Sequence, residues 1–281
     1  MPGAVKLFEV TAEVAEKLRK AGSLGKRYML IGFSGWPDAG NVASLTIQHF
    51  IDSLAPEKLM EFELADFQDL TVNRPIVEID DGLIKGLQFA KSALYLWSDQ
   101  KQNTSLLIFR GPEPGFRWRE FAEKILELCK KMSVQRIYLV GGVLGMVPHT
   151  RKPKISAVVN MEHLKLEVKV HGLTSSNYKG PSSIHSYLML RAREMRLEAI
   201  SIWGHAPNYV PYPNAIVALH LVSNLAEMME ISINLDKLAK LAEALRRKID
   251  SAMEENPELR RVVEELERRY DEESGAPSYI A

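Results

Sequence analysis

The sequence predicts an α/β layer fold with a largely parallel core. Short runs rich in β-branched and aromatic residues recur along the chain, each bounded by turn residues. Between several of them lie stretches whose apolar residues fall three and four apart, as in Phe121, Ile125, Leu128, Cys129 and Met132. Alternation of the two patterns is the mark of strands covered by helices.

Taken in order, strands are expected at 28–33, 60–65, 76–79, 93–97, 105–109, 136–140, 157–160 and 199–203. Helices are expected at 42–54, 118–132, 182–195 and 214–230. Residues 76–84 read as a hairpin through an Asp81-Gly82 turn, so some antiparallel pairing is expected and the sheet is mixed. Near the end, Leu235, Leu238, Leu241, Leu245 and Ile249 line one helix face. Asn256-Pro257 then reads as an N-cap followed by proline at the first helical position, and Leu259, Val262, Val263, Leu266 and Tyr270 form the next stripe. The predicted organisation is an α/β body over 1–232, a C-terminal helical hairpin over 233–272 and a flexible tail over 273–281.

Composition narrows the function. The 281 residues are 46% hydrophobic, enough for a substantial core. Lys plus Arg and Asp plus Glu balance at 36 each, so no net field favours nucleic acid or an anionic membrane. The single cysteine, Cys129, rules out an intramolecular disulfide and lies in an apolar helical pattern, where a core role fits better than a nucleophile. The start of the chain lacks the apolar segment of a signal peptide, and no apolar run reaches the ~18 residues of a membrane span. A soluble cytoplasmic protein with neither nucleic-acid nor membrane partner is expected.

The densest cluster of special residues is Gly32-Phe33-Ser34-Gly35-Trp36-Pro37-Asp38-Ala39-Gly40-Asn41. Glycine is costly in backbone entropy, so several in one loop imply tight turning or close approach. Asn41 stands where the N-cap of the following helix belongs. No cofactor motif is present. Gly22-Ser23-Leu24-Gly25-Lys26 is too short for a phosphate loop, and Arg27 stands in place of the required Ser or Thr. Trp36 occupies the second glycine position of a nucleophile elbow around Ser34, which makes Ser34 a turn residue. His49 reads as an exposed or hydrogen-bonded helix residue, and His163 and His171 lack metal-ligand spacing. No metal and no cofactor are expected.

Four predicted strands each run into a loop rich in Gly, Pro, aromatic and polar residues: 35–41, 111–117, 141–154 and 204–209. In a parallel sheet these loops share one edge. Trp36, Asp38, Asn41, Glu113, Arg117, His149, Arg151 and His205 would then gather there, with Trp36 and Phe116 packed as apolar cover. Two readings stand. The polar groups either brace irregular loops or a subunit contact, or they line the pocket of a small-molecule ligase or hydrolase.

Gly32–Asn41 with Val42-Ala43, Asp66-Phe67 before Asn73-Arg74-Pro75, Gly111–Phe121, Gly141–Pro153, Tyr178-Lys179-Gly180-Pro181-Ser182 and Ser201–Pro213 together resemble the proteasome assembly chaperone 2 family, in its archaeal and actinobacterial branch. The resemblance implies a three-layer α/β/α sandwich of the phosphorylase/hydrolase-like kind. It implies a non-enzymatic chaperone that binds proteasome α-subunits, or the ring they form, and self-associates as a homo-oligomer. The apolar stripes of the appended helices need cover from either the body or another subunit, and the family's self-association together with the apolar helix at 216–229 favours subunit contact. It further implies a docking tail, here Tyr279, Ile280 and Ala281, with the tyrosine third from last where the family's tails place it second.

Overall fold

The computed structural model describes residues 10–273; Tyr279, Ile280 and Ala281 lie outside the described residues. In chain order the elements are α1 (Ala12–Ala21), β1 (Lys26–Ser34), α2 (Val42–Leu54), β2 (Glu57–Glu63), β3 (Ile76–Asp80), β4 (Leu83–Gln88), β5 (Lys91–Asp99) and β6 (Thr104–Pro112). Then follow α3 (Trp118–Lys131), β7 (Arg136–Gly145), β8 (Ile155–Val159), α4 (Leu164–Val170), β9 (Thr174–Ser175), α5 (Ile184–Glu194), β10 (Glu198–Pro207), α6 (Ala215–Met229), α7 (Asp236–Glu255) and α8 (Pro257–Glu273).

Eight strands form one sheet in the order β2-β5-β6-β1-β7-β10-β8-β9. The central four, β6, β1, β7 and β10, run parallel, while β5 and β8 pair antiparallel on either flank. Central strands covered on both faces read as continuous apolar runs, and Met29, Leu30, Ile31 and Phe33 of β1 are all fully buried. Their side chains alternate between layers. Leu30, Ile108, Tyr138 and Ile200 pack with α2, α6 and α7, whereas Met29, Ile31, Phe109 and Leu139 pack with α1, α3 and α5. The chain is thus a three-layer α/β/α sandwich with a mixed sheet and C-terminal helices.

Local chemistry sets the boundaries. Asp81 and Gly82 both take positive φ, +46° and +75°, as a two-residue hairpin turn requires. The Asn256 side chain accepts hydrogen bonds from the amides of Glu258 and Leu259, which starts α8 where the Asn-Pro pair predicts. Asn41 departs from expectation. It takes the left-handed conformation, and its side chain caps nothing. Asp38 caps α2 instead, accepting from the amides of Ala43 (2.7 Å) and Ser44 (3.1 Å) and from the Ser44 hydroxyl. Helices α1 and α4 are additions to the predicted elements, and α4 fills the interval between His163 and His171.

The apolar stripes of α6, α7 and α8 find their cover within the chain. α6 buries residues all round because α2 and the sheet cover one side and α7 the other. Leu238, Ala242, Leu245 and Ile249 of α7 join the same core as α6, and Val263 and Leu266 of α8 are buried too. The body thus covers most of these stripes, while Leu241 of α7 and Val262 of α8 stay exposed. Among the described residues no helix is long and apolar enough to cross a membrane.

Candidate functional site at the loop edge

The four strands that carry the glycine-rich loops are the parallel ones, so all four loops leave the same edge of the sheet. Main-chain hydrogen bonds stitch them in series. The Glu113 amide donates to the Ser34 carbonyl (2.9 Å), the Gly142 amide to Pro37 (2.8 Å), and the Asn208 amide to Gly145 (3.2 Å). Gly142 makes this possible: a Cβ there would stand 2.3 Å from the Ala39 carbonyl oxygen, so only glycine lets β7 pass the first loop. Gly40, at φ +64°, accepts from the Asn214 amide (2.7 Å) and ties the first loop to the start of α6.

The expected site residues lie on these loops, and the charged and imidazole side chains among them are engaged locally. Asp38 is the cap of α2; burial raises its pKa against hydrogen bonds from Ser44 and Ala43 that lower it. Glu113 is raised by burial as well, and its carboxylate accepts the first amide of α5, from Ile184 (2.8 Å). Arg117 pairs with Glu120, its guanidinium 5.0 Å from the centre of the Phe67 ring. His205 Nε2 lies 2.9 Å from Ser156 Oγ, and burial, then Lys154, push the imidazole below its ordinary value, towards the neutral form.

His149 and Arg151 hold the terminal helices. Tyr209 accepts from the His149 amide, and its hydroxyl sits 2.8 Å from Nδ1. The carboxylate of Asp250 on α7 only accepts, so the opposite nitrogen, Nε2, donates to it (3.1 Å). Arg151 forks onto Asp271 of α8, at 2.9 and 2.8 Å, and reaches Glu267, which also accepts from Thr150. The Tyr270 hydroxyl adds a bond to the Lys152 carbonyl. None of these partners is legible in sequence, because 60 to 120 residues separate each pair.

Two open clefts flank the edge. One, of about 430 Å³, is lined by Met146, Lys154, His205, Arg269 and Tyr270 among others; the second, of about 360 Å³, by Asn41, Ser44, Gln48, Lys91 and Arg110. Each holds a single member of the expected set, His205 in the first and Asn41 in the second. Ser156 is buried outside the first cleft, so its contact orients the His205 ring and presents no nucleophile there. His149 and His205 meet only across a cavity of about 10 Å³, the space of one water molecule. Trp36 and Phe116, expected as packed cover, are 60% and 52% exposed. Among the described residues no three His, Cys, Asp or Glu side chains are placed to share a metal ion.

The α/β/α sandwich finds its counterpart among known proteins. The sequence profile of the PAC2 family matches residues 32–253, from the end of β1 through α7. The chain belongs to the PAC2 family. A PAC2 family protein from Streptomyces avermitilis is 29% identical, with a TM-score of 0.72 over 80% of this chain and 95% of its own. A Mycobacterium tuberculosis proteasome-assembly chaperone homologue is 26% identical, with a TM-score of 0.75 over 84% of this chain and 99% of its own. Pyrococcus furiosus PbaB, an archaeal proteasome activator, shares the fold at 19% identity, with a TM-score of 0.63 over 82% of this chain and 94% of its own. No curated protein matches the chain. The matched span of the PAC2 family takes in all four edge loops, including both residues that fasten the terminal helices, His149 and Arg151.

Proposed function

We propose that this PAC2-family chain is a non-enzymatic, proteasome-assembly-chaperone-like protein that acts in the cytoplasm and binds proteasome α-subunits, or the ring they form, as a homo-oligomer. The observation that carries the reading is the likeness to the Mycobacterium tuberculosis proteasome-assembly chaperone homologue, which spans nearly all of that protein. The loop edge supports it. Its acids and bases are spent on capping helices, orienting rings and fastening α7 and α8, and a general acid or base must instead be within reach of a substrate proton. Exposed Trp36, Phe116, Leu144 and Met146 offer the edge apolar contacts of the kind that protein interfaces favour. Tyr279, Ile280 and Ala281 are the second docking element of this reading, since an aromatic and a branched side chain on a short segment suit a groove.

The test is capture of purified proteasome α-subunits from the same organism by the immobilised protein, intact or lacking Tyr279–Ala281. Capture by the intact protein alone supports both the function and the tail. Equal capture by both supports the function and assigns docking to the loop edge. Capture by neither rejects the reading.

A further inference from the structure

We propose that the cleft between α2 and the carboxyl ends of β1 and β6 binds a compact hydroxylated anion, a sugar phosphate or a sugar acid. This goes beyond the proposed function and does not depend on α-subunit binding. β1 and β6 are parallel neighbours, yet the chain leaves β1 for α2 on one face and β6 for α3 on the other. Where neighbouring connections part in this way, an open α/β sheet has a crevice at the strand ends, and ligands bind there. The cleft of about 360 Å³ lies at this point, and its volume suits a small molecule. Leu30 of β1 and Ile108 of β6 pack on the α2 side. Every second residue of a strand shares a face, so Ser34 and Arg110 stand on that side too. α2 supplies the wall with Ser44 and Gln48, and Asn41 stands just before it.

Arg110 gives the cleft its charge. Its guanidinium donates to the side-chain oxygen of Gln48, an uncharged partner, and among the described residues it forms no ion pair. Arg117, Arg136 and Arg151, by contrast, are paired with carboxylates. Gln48 is itself held, because its amide nitrogen donates to Asp52 (2.6 Å), and Lys237 of α7 pairs with the other oxygen of Asp52 (2.7 Å). The guanidinium is thus fixed in place while its charge stays uncompensated. The donors that Gln48 leaves over can form the paired bonds that phosphate and carboxylate accept. Lys91, which pairs with Glu61 at 3.1 Å, adds a second cation. Among the described residues no acid lines this cleft, whereas Glu273 lines the cleft of about 430 Å³ and Glu198 a third, of about 480 Å³. Asp38 is buried, and its carboxylate is taken up by the amides of Ala43 and Ser44 and by the Ser44 hydroxyl. The other polar groups are neutral. The Ser34 hydroxyl and the Asn41 amide each donate and accept, and the Asn41 side chain caps nothing, so both suit the hydroxyl groups of a ligand. One fixed guanidinium beside neutral hydrogen-bonding groups selects a small anion that carries hydroxyls.

The experiment is isothermal titration calorimetry of the pure full-length protein with glucose 6-phosphate, gluconate and glucose. The two anions should bind at a single site per chain, and glucose at least about tenfold more weakly. Tighter binding of glucose 6-phosphate assigns the anion as a phosphoester and tighter binding of gluconate as a carboxylate, and either supports the proposal. Arg110→Gln should weaken both anions at least about tenfold. Arg110 is exposed, so the Tm of this variant should stay at the wild-type value. Asn41→Gly keeps a backbone φ of +52° that glycine adopts freely and removes only the amide, and affinity should fall roughly threefold. Arg119→Gln, at an exposed arginine outside the cleft, should change nothing. Binding of neither anion at millimolar concentration overturns the proposal, as does binding that Arg110→Gln leaves intact or that Arg119→Gln weakens equally. Loss of α-subunit capture by Arg110→Gln, when neither anion binds the wild type, also overturns it, because an acidic segment of the client then occupies the cleft. No α-subunit is present in the titrations, so failure of the site and failure of the proposed function are read separately.

Discussion

Arg151 grips Asp271 with both arms of its guanidinium fork, and the two residues are 120 positions apart. One belongs to the loop that leaves β7, the other to the last turns of α8. The pair converts a loop at the working edge of the sheet into the mooring of the terminal helices.

Arg151→Ala should therefore loosen α8 while sparing the body. The hydrogen bond from Arg151 holds the Asp271 carboxyl below its ordinary value of 3.8. A depressed carboxylate stabilises the fold above that value, and the contribution is lost as pH falls through the folded pKa. At neutral pH the tie is intact. Hydrogen exchange at pH 7 should show faster exchange across 257–273 in Arg151→Ala and unchanged protection in β1 and β7. Equal protection of α8 in both proteins contradicts the mooring.

His149→Ala should be the costlier change. It strips a partner from Tyr209 and from Asp250 at once, and the lost bonds with the void are worth about 2 kcal/mol. Urea unfolding of the variant measures this. A shift below about 0.5 kcal/mol, the scale of an uninvolved surface site, contradicts the network.

Gly142→Ala tests the stitching of the edge. The added methyl would press against the Ala39 carbonyl oxygen, so β7 or the first loop must move, at a cost of about 3 kcal/mol. Gly82→Ala is the informative comparison. It strains only a turn with open space around it, and its effect should be smaller. Equal thermal shifts for the two contradict close packing at Gly142.

His185 predicts a pH dependence. It is wholly buried between the Phe33 and Trp203 rings, its Nδ1 is 3.0 Å from Ser201 Oγ, and its Nε2 has no hydrogen-bond partner. Burial drives its pKa from 6.5 down to about 3. Below pH 6.5 the unfolded chain takes up a proton that the folded chain refuses, so stability is full above 6.5 and declines as pH falls towards 3. His205, depressed as well, adds in the same sense. Unfolding free energies at pH 7 and pH 5 should differ less for His185→Gln than for the wild type. Identical differences contradict a buried neutral histidine.

Local features of this fold were legible before the structure, and long-range ones were not. The hairpin turn follows from Asp81-Gly82, and the start of α8 from Asn256-Pro257, because each depends on neighbours along the chain. The shared edge of the four loops follows from strand–helix alternation and the geometry of parallel sheets. Trp36 misleads. A tryptophan among glycines reads as an anchor, yet it is exposed, because main-chain bonds such as Gly142 to Pro37 hold the loop without side-chain cover. Asp38 outcompetes Asn41 as the cap because its carboxylate reaches two amides and a hydroxyl. The engagement of His149 and Arg151 with the terminal helices was hidden, since Tyr209, Asp250, Glu267 and Asp271 carry no motif that marks them as partners.

Sedimentation velocity of the protein mixed with purified proteasome α-subunits of the same organism tests the central claim most directly. A new, faster boundary containing both polypeptides, its amplitude rising with either component at micromolar concentration, is the predicted result. Two boundaries that remain those of the separate proteins at every mixing ratio would contradict the account.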